Sequence, residues 1–122
     1  MLDGLRRRYR EAMTVRVDFN STGFRRVQGR GMLRPPLSEE RAWADIHSVT
    51  VFKVDAYTTD CITLLFEGSE PMLAIDESME GYDDFIRHLP TALPGIQLFE
   101  DWFMAVAFPA FEPNPTVIYR RA

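Results

Sequence analysis

The sequence predicts an α+β fold. An antiparallel sheet of about five to seven strands follows a short N-terminal helix and is closed by one or two C-terminal helices. Three observations lead there. Between residues 15 and 75, short apolar runs alternate with polar residues or end at turn-forming residues. Helical spacing of apolar residues occurs before and after that block. No connection within it is long enough for the crossover helix that a parallel pair needs.

The elements follow in order. Residues 3–13 read as a helix, with Asp3 as a possible N-cap and Leu5, Tyr9 and Met13 at four-residue steps forming one apolar stripe. Arg6, Arg7, Arg8 and Arg10 occupy the other faces. Val15, Val17 and Phe19 alternate with Arg16 and Asp18, the period of a half-buried strand. Asn20-Ser21-Thr22-Gly23 supplies turn chemistry, and Phe24 to Gln28 returns as the second strand of a hairpin. Gly29 to Glu40, with two glycines and Pro35-Pro36, reads as one long irregular loop.

Trp43, Ile46 and Val49 open a second β-rich block. A strand runs from Val49 to Asp55, Tyr57 to Asp60 turns, and Cys61 to Phe66 is the most strand-like run in the chain. Glu67 to Pro71 turns again, and Met72 to Ile75 returns. Ser78 then caps a helix carrying Tyr82, Phe85, Ile86 and Leu89, which Pro90 should stop or kink and Pro94-Gly95 should end. Phe99 to Ala107 forms a second helix with Phe99, Trp102, Phe103 and Val106 on one side. Val117 to Tyr119 is a last short strand.

With 122 residues, the chain is read as one domain: a helical arginine-rich leader over 1–13, a β-rich part over 14–76, and helices with a final strand over 77–122. Such a length supports a core without disulfides or metal. No apolar run approaches the roughly 18 residues of a membrane span, so no membrane insertion is expected. No signal peptide is visible, and the lone Cys61 fits a reducing compartment, so the expected location is cytoplasmic. Charge is uneven. Residues 1–34 hold nine arginines against three acids, net +6, whereas residues 35–122 hold five basic residues against fifteen acids, net −10. Opposite charges at short range relieve the self-repulsion of each block, so the two should face each other in part, within one chain or across a homodimer.

Several segments occur in a telling order: Thr22-Gly23-Phe24, Trp43-Ala44-Asp45-Ile46, Phe52-Lys53-Val54-Asp55, Asp60 before the Cys61–Phe66 run, Glu77 through Gly81-Tyr82, Leu93-Pro94-Gly95, Trp102 and Pro109-Ala110-Phe111. This pattern, over about residues 14–120, resembles a set of small uncharacterised bacterial proteins with a pleckstrin-homology-like fold. The resemblance implies a strongly bent antiparallel sheet closed at one end by a helix. It implies no activity, because that fold serves lipid, peptide and protein binding alike. The arginine-rich leader and a second late helix depart from the usual pattern.

The candidate binding residues are Asp76, Glu77, Glu80, Asp83 and Asp84, five carboxylates within nine positions. They suit a basic partner. Their spacing is not that of a calcium loop, and acids at a helix start interact favourably with its dipole, so no bound ion is expected. Zinc is not expected either, since His47, His88 and Cys61 lack ligand spacing. Cys61 lies within an apolar strand without an adjacent base, no nucleophile elbow or phosphate loop occurs, and Asp55 with Asp60 would need a cleft to do acid–base work. No catalytic residue and no cofactor are assigned. An anionic membrane or nucleic acid could attract Arg6 to Arg10, but the acidic remainder opposes it, and the arginines read as a solvated helix face without nucleic acid.

The sequence therefore points to a non-catalytic binding module. It engages another protein through the acidic surface of residues 76–84 and 100–101, with an immunity-type role as one instance. Two alternatives stay open: a small-molecule or lipid-binding domain with a pocket at the open end of the sheet, and an enzyme with an unrecognised acid–base pair. A protein binder calls for an exposed apolar patch rimmed with charge, and a ligand binder for a deep, largely apolar pocket.

Overall fold

The computed structural model describes residues 2–55, 59–109 and 112–122. Among them are three α-helices, a 3-10 turn and seven strands. α1 (Leu2–Met13) runs into β1 (Val15–Phe19), and the Thr14 hydroxyl between them donates to the Arg10 carbonyl at 2.8 Å. β2 (Gly23–Gln28) returns antiparallel, with Phe19 opposite Phe24. The intervening turn is organised by Asn20, whose Oδ1 accepts from the backbone N–H groups of Thr22 (2.9 Å) and Gly23 (3.0 Å).

Residues 29–40 are not one irregular loop. Their last part belongs to β3 (Leu37–Ala42), which pairs antiparallel with β2. Leu37-Ser38-Glu39-Glu40-Arg41-Ala42 lacks apolar alternation, so periodicity does not reveal it. Its ladder with β2 forms it instead. The register sets Arg25 beside Glu40 and Arg26 beside Glu39, while the ion pair of Arg25 is with Asp18 at 3.2 Å. Arg10 also reaches Glu80 at 3.8 Å. Thus the basic and acidic blocks do meet in part within one chain.

The 3-10 turn Trp43–Asp45 leads into β4 (Ile46–Asp55), followed by β5 (Asp60–Gly68) and β6 (Leu73–Asp76). β7 (Thr116–Arg120) returns to β4, giving a second antiparallel sheet in the order β6-β5-β4-β7 beside the first, β1-β2-β3. β4 starts earlier than Val49, because a register irregularity between Ile46 and Ser48 lets Ile46, Val49 and Val51 all point inward. Of the expected Tyr57–Asp60 turn, residues 57 and 58 lie outside the described residues, as do Ala110 and Phe111 of the quoted C-terminal segment. Asp60 itself opens β5.

α2 (Tyr82–Ala92) starts after Gly81, so Ser78 is not its cap. Ser78 is engaged by Asp76, whose Oδ1 accepts both its hydroxyl and its backbone N–H. Gly81 takes a φ of +85°, and a Cβ there would lie 2.6 Å from the Val17 carbonyl oxygen. Only glycine fits both demands. Pro90 does not stop the helix, which continues to Ala92. α3 (Phe99–Ala107) buries Trp102 and Val106 as expected, but Phe99 remains 43% exposed.

The two sheets and α2 meet in an aromatic cluster. Phe24 of β2 lies 4.7 Å from Phe66 of β5, 4.7 Å from Trp43 and 5.4 Å from Phe85 of α2 (ring centroids). Trp43 is 5% exposed, and its Nε1–H donates to the Asn20 carbonyl at 2.9 Å. It therefore fastens the β1–β2 turn to the start of β4. Trp43→Ala is expected to lower stability by about 3–5 kcal/mol, since it empties a large buried site and orphans the Asn20 carbonyl. Chemical denaturation of the variant at the parent's midpoint would contradict this.

Candidate functional site

The five acidic residues singled out by sequence play different parts. Asp76 ends β6 and is occupied by Ser78. Glu77 extends the pairing with β5: its N–H donates to the Ile62 carbonyl at 3.0 Å, and its Oε1 accepts the Ile62 N–H at 2.8 Å. Glu80 bonds β1 through its backbone, accepting from Val17 N–H at 2.9 Å and donating to the Val15 carbonyl at 3.0 Å. Asp83 and Asp84 stand exposed in the first turn of α2, where the helix dipole favours them. Asp84 also meets Arg87 at 3.5 Å, an exposed pair that contributes little.

Three of the five, Glu77, Asp83 and Asp84, line one groove of about 370 Å³, together with Met79, Gly81, Tyr82 and Arg87. Asp76 and Glu80 do not line it. Tyr82 is buried, and its hydroxyl has no hydrogen-bond partner among the described residues. Burial first, and the Glu77 carboxylate second, hold this phenol protonated well above its ordinary range. The groove thus offers carboxylate acceptors beside a buried tyrosine whose own hydroxyl has no partner among the described residues. Sequence reading ranks Tyr82 as core because of its helical spacing, and its burial agrees. Its idle oxygen has no sequence signature.

Lys53 was not singled out by sequence. It continues the inward alternation of Val49 and Val51, so the period already places it on the core face. It is buried, and its Nζ donates to the carbonyls of Ala107 (2.8 Å) and Pro109 (2.7 Å) and pairs with Asp60 at 3.1 Å. A cation at the C-terminal end of α3 suits the helix dipole, and the carboxylate neutralises it. Asp60 therefore serves a buried ion pair with Lys53.

Elsewhere the chemistry is structural. Burial, followed by the charges of Asp76 and Glu77, raises the Cys61 thiol above its ordinary range, the reverse of activation. Asp45 accepts the Ser69 hydroxyl at 2.5 Å, and chiefly this bond holds its carboxyl below the usual range. His88 stacks on Phe19 at 4.6 Å between ring centroids. Among the described residues, no group of three or more His, Cys, Asp or Glu is placed to hold a metal ion. No helix is long and apolar enough to cross a membrane.

A wide cleft of about 960 Å³ lies at the β1–β2 turn, bordered by Asp18, Arg25, Glu40, Arg41, Asp45 and Glu70 among others. Its rim is charged, unlike the largely apolar pocket that a small ligand prefers. By contrast, Met104 on α3 (63% exposed) lies one turn after Glu100, and Phe108 (60%) follows the helix end, so two exposed apolar side chains stand near acids.

No protein-family model, curated protein or solved structure matches this chain.

The raised groups fix a sign for alkaline behaviour. The folded chain holds the protons of Cys61 and Tyr82 more tightly than the unfolded chain, whose groups titrate near 9.0 and 10.0. Their contribution is complete below those values and is lost as pH rises above them, at up to about 1.4 kcal/mol per pH unit for the buried Tyr82 and less for the partly exposed Cys61. Tyr82→Phe should keep neutral-pH stability and flatten the fall above about pH 10. Denaturation midpoints measured across that range would refute this if variant and parent declined in parallel.

Proposed function

We propose that the chain is a non-catalytic binding domain that docks a basic protein through its acidic surface. The observation that carries this reading is the groove at the start of α2, which Glu77, Asp83 and Asp84 line together with the buried Tyr82. A guanidinium or ammonium group entering it would meet these carboxylates, and such charge-assisted bonds are the strong ones. The acidic balance of residues 35–122 would steer a basic partner toward it. The outward Met104 and Phe108 beside Glu100 and Asp101 supply apolar area of the kind protein interfaces use.

Neutralisation of a basic partner in the manner of an immunity protein is one instance of this role. Two antiparallel sheets with late helices support the pleckstrin-homology-like reading, and the lone cysteine supports a cytoplasmic setting. The charged rim of the wide cleft favours a protein over a small apolar ligand.

Affinity capture from the native cell, followed by binding measurements with the purified partner, tests this. The partner should be basic at the contact, and the combined Glu77→Gln, Asp83→Asn, Asp84→Asn variant should bind it at least about tenfold more weakly while melting like the parent. Unchanged affinity in that variant overturns the acidic-groove reading.

A further inference from the structure

We propose that α1 and the adjoining loop form a docking face for an anionic lipid surface, on which the helix lies flat. This goes beyond the acidic groove and does not rest on it.

None of the described residues of α1 is buried. Leu2, Leu5, Tyr9 and Met13 are 69%, 53%, 58% and 60% exposed. At about 100° per residue they fall within about 80° of one another, one stripe along the helix. Arg8 borders the stripe on one side and Arg6 on the other. Beside the Arg8 edge lies the loop after β2. Its Gly31 N–H donates to the Ala12 carbonyl at 3.0 Å, and its Met32 and Leu33 are 41% and 99% exposed between Arg30 and Arg34. Arg8, Glu11, Ala12, Arg30, Met32 and Arg34 border a common groove of about 310 Å³, so the loop adjoins the Arg8 edge of the helix. Among the described residues, Arg6, Arg7, Arg8, Arg30 and Arg34 have no ion-pair partner.

Two unmet demands coincide here: exposed apolar side chains and unpaired guanidinium groups. Nucleic acid answers only the charge. A second copy of α1 would bury the stripe but crowd the arginines together. A bilayer interface with anionic headgroups answers both, because an amphipathic helix of this composition sinks its apolar side to the acyl boundary while its arginines reach up to the headgroups. The acidic remainder does not forbid this. Arg10, which contacts Glu80, lies about 100° around the helix from the middle of the stripe and about 60° from Met13. Glu80 therefore flanks the face rather than lying on it, and screening over roughly 8 Å at physiological salt weakens its repulsion.

The test is co-sedimentation of the full chain with phosphatidylcholine vesicles, with and without about one quarter phosphatidylglycerol. The chain should pellet with the anionic vesicles and stay in solution with the neutral ones, and added salt should release it. Arg6→Gln and Arg8→Gln should each weaken partition about fivefold. Leu5→Gln and Leu33→Gln should weaken it too, with circular dichroism and melting unchanged because these side chains are exposed. The Glu77→Gln, Asp83→Asn, Asp84→Asn variant should bind vesicles as well as the parent, which separates this face from the acidic groove. The proposal is overturned by no anionic-vesicle binding, or by binding that Leu5→Gln and Leu33→Gln leave intact. It is equally overturned if the face retains a DNA duplex but no vesicles, or if light scattering shows a dimer that Leu5→Gln dissolves and vesicles do not compete for.

Discussion

Phe24, Trp43, Phe66 and Phe85 come from four different elements and meet at ring-centroid distances from 4.7 to 5.9 Å. The β1-β2-β3 sheet shares no strand ladder with the β6-β5-β4-β7 sheet, and besides the backbone bonds of Glu80 to β1 and of Trp43 to Thr22 it is side chains that join them. Phe24 brings the first sheet to this junction, Phe66 the second and Phe85 the helix. Trp43 adds a polar bond from its indole N–H to the Asn20 carbonyl, beside its backbone N–H bond to the Thr22 carbonyl at 3.1 Å. Aromatic groups bury large areas and pack in preferred tilted or offset arrangements, so such a cluster fixes orientation as well as energy. The position of α2 follows from it, and with α2 the acidic groove at that helix's start.

Around this apolar centre, charge is used in three distinct ways. On the first sheet, Asp18 of β1 pairs with both Arg16 and Arg25, at 3.1 and 3.2 Å. In the core, Lys53 is held by Asp60 and by carbonyls following α3, which ties the second sheet to the last helix. A buried pair of this kind is weak evidence for stability, but removing one partner alone is costly, so it constrains where α3 can end. On the surface, Asp83 on α2 and Arg6 to Arg8 on α1 have no ion-pair partner among the described residues. Those outward groups carry the functional proposals.

Much of the fold was legible because its signals are local. Val15 to Phe19 and Cys61 to Phe66 announce themselves by composition and period, and Phe99 to Ala107 by helical spacing. β3 was not, because Ser38-Glu39-Glu40-Arg41 has no apolar alternation and becomes a strand through its backbone ladder with β2. The start of α2 was misplaced because Ser78 has a cap's chemistry but was taken by Asp76 two residues before it, leaving Gly81 to turn the chain. The acidic groove was half legible. Five carboxylates could be named, but only tertiary placement separates Glu77, Asp83 and Asp84 from Asp76 and Glu80. Lys53 was within reach, since the alternation through Val49 and Val51 points it inward. What period cannot supply is the partner, which comes from residues 54 and 56 positions further on.

The central claim is that a rigid aromatic junction holds two sheets and α2 while α1 stays outside the core. Amide hydrogen exchange of the full chain reads this directly, because protection follows the free energy of opening each segment. The account predicts the slowest exchange in β2, β4, β5 and α2, opening together, with α1 exchanging far faster than any of them. Protection of α1 equal to that of β4 and β5, or loss of protection in β2 well before β5, would contradict it.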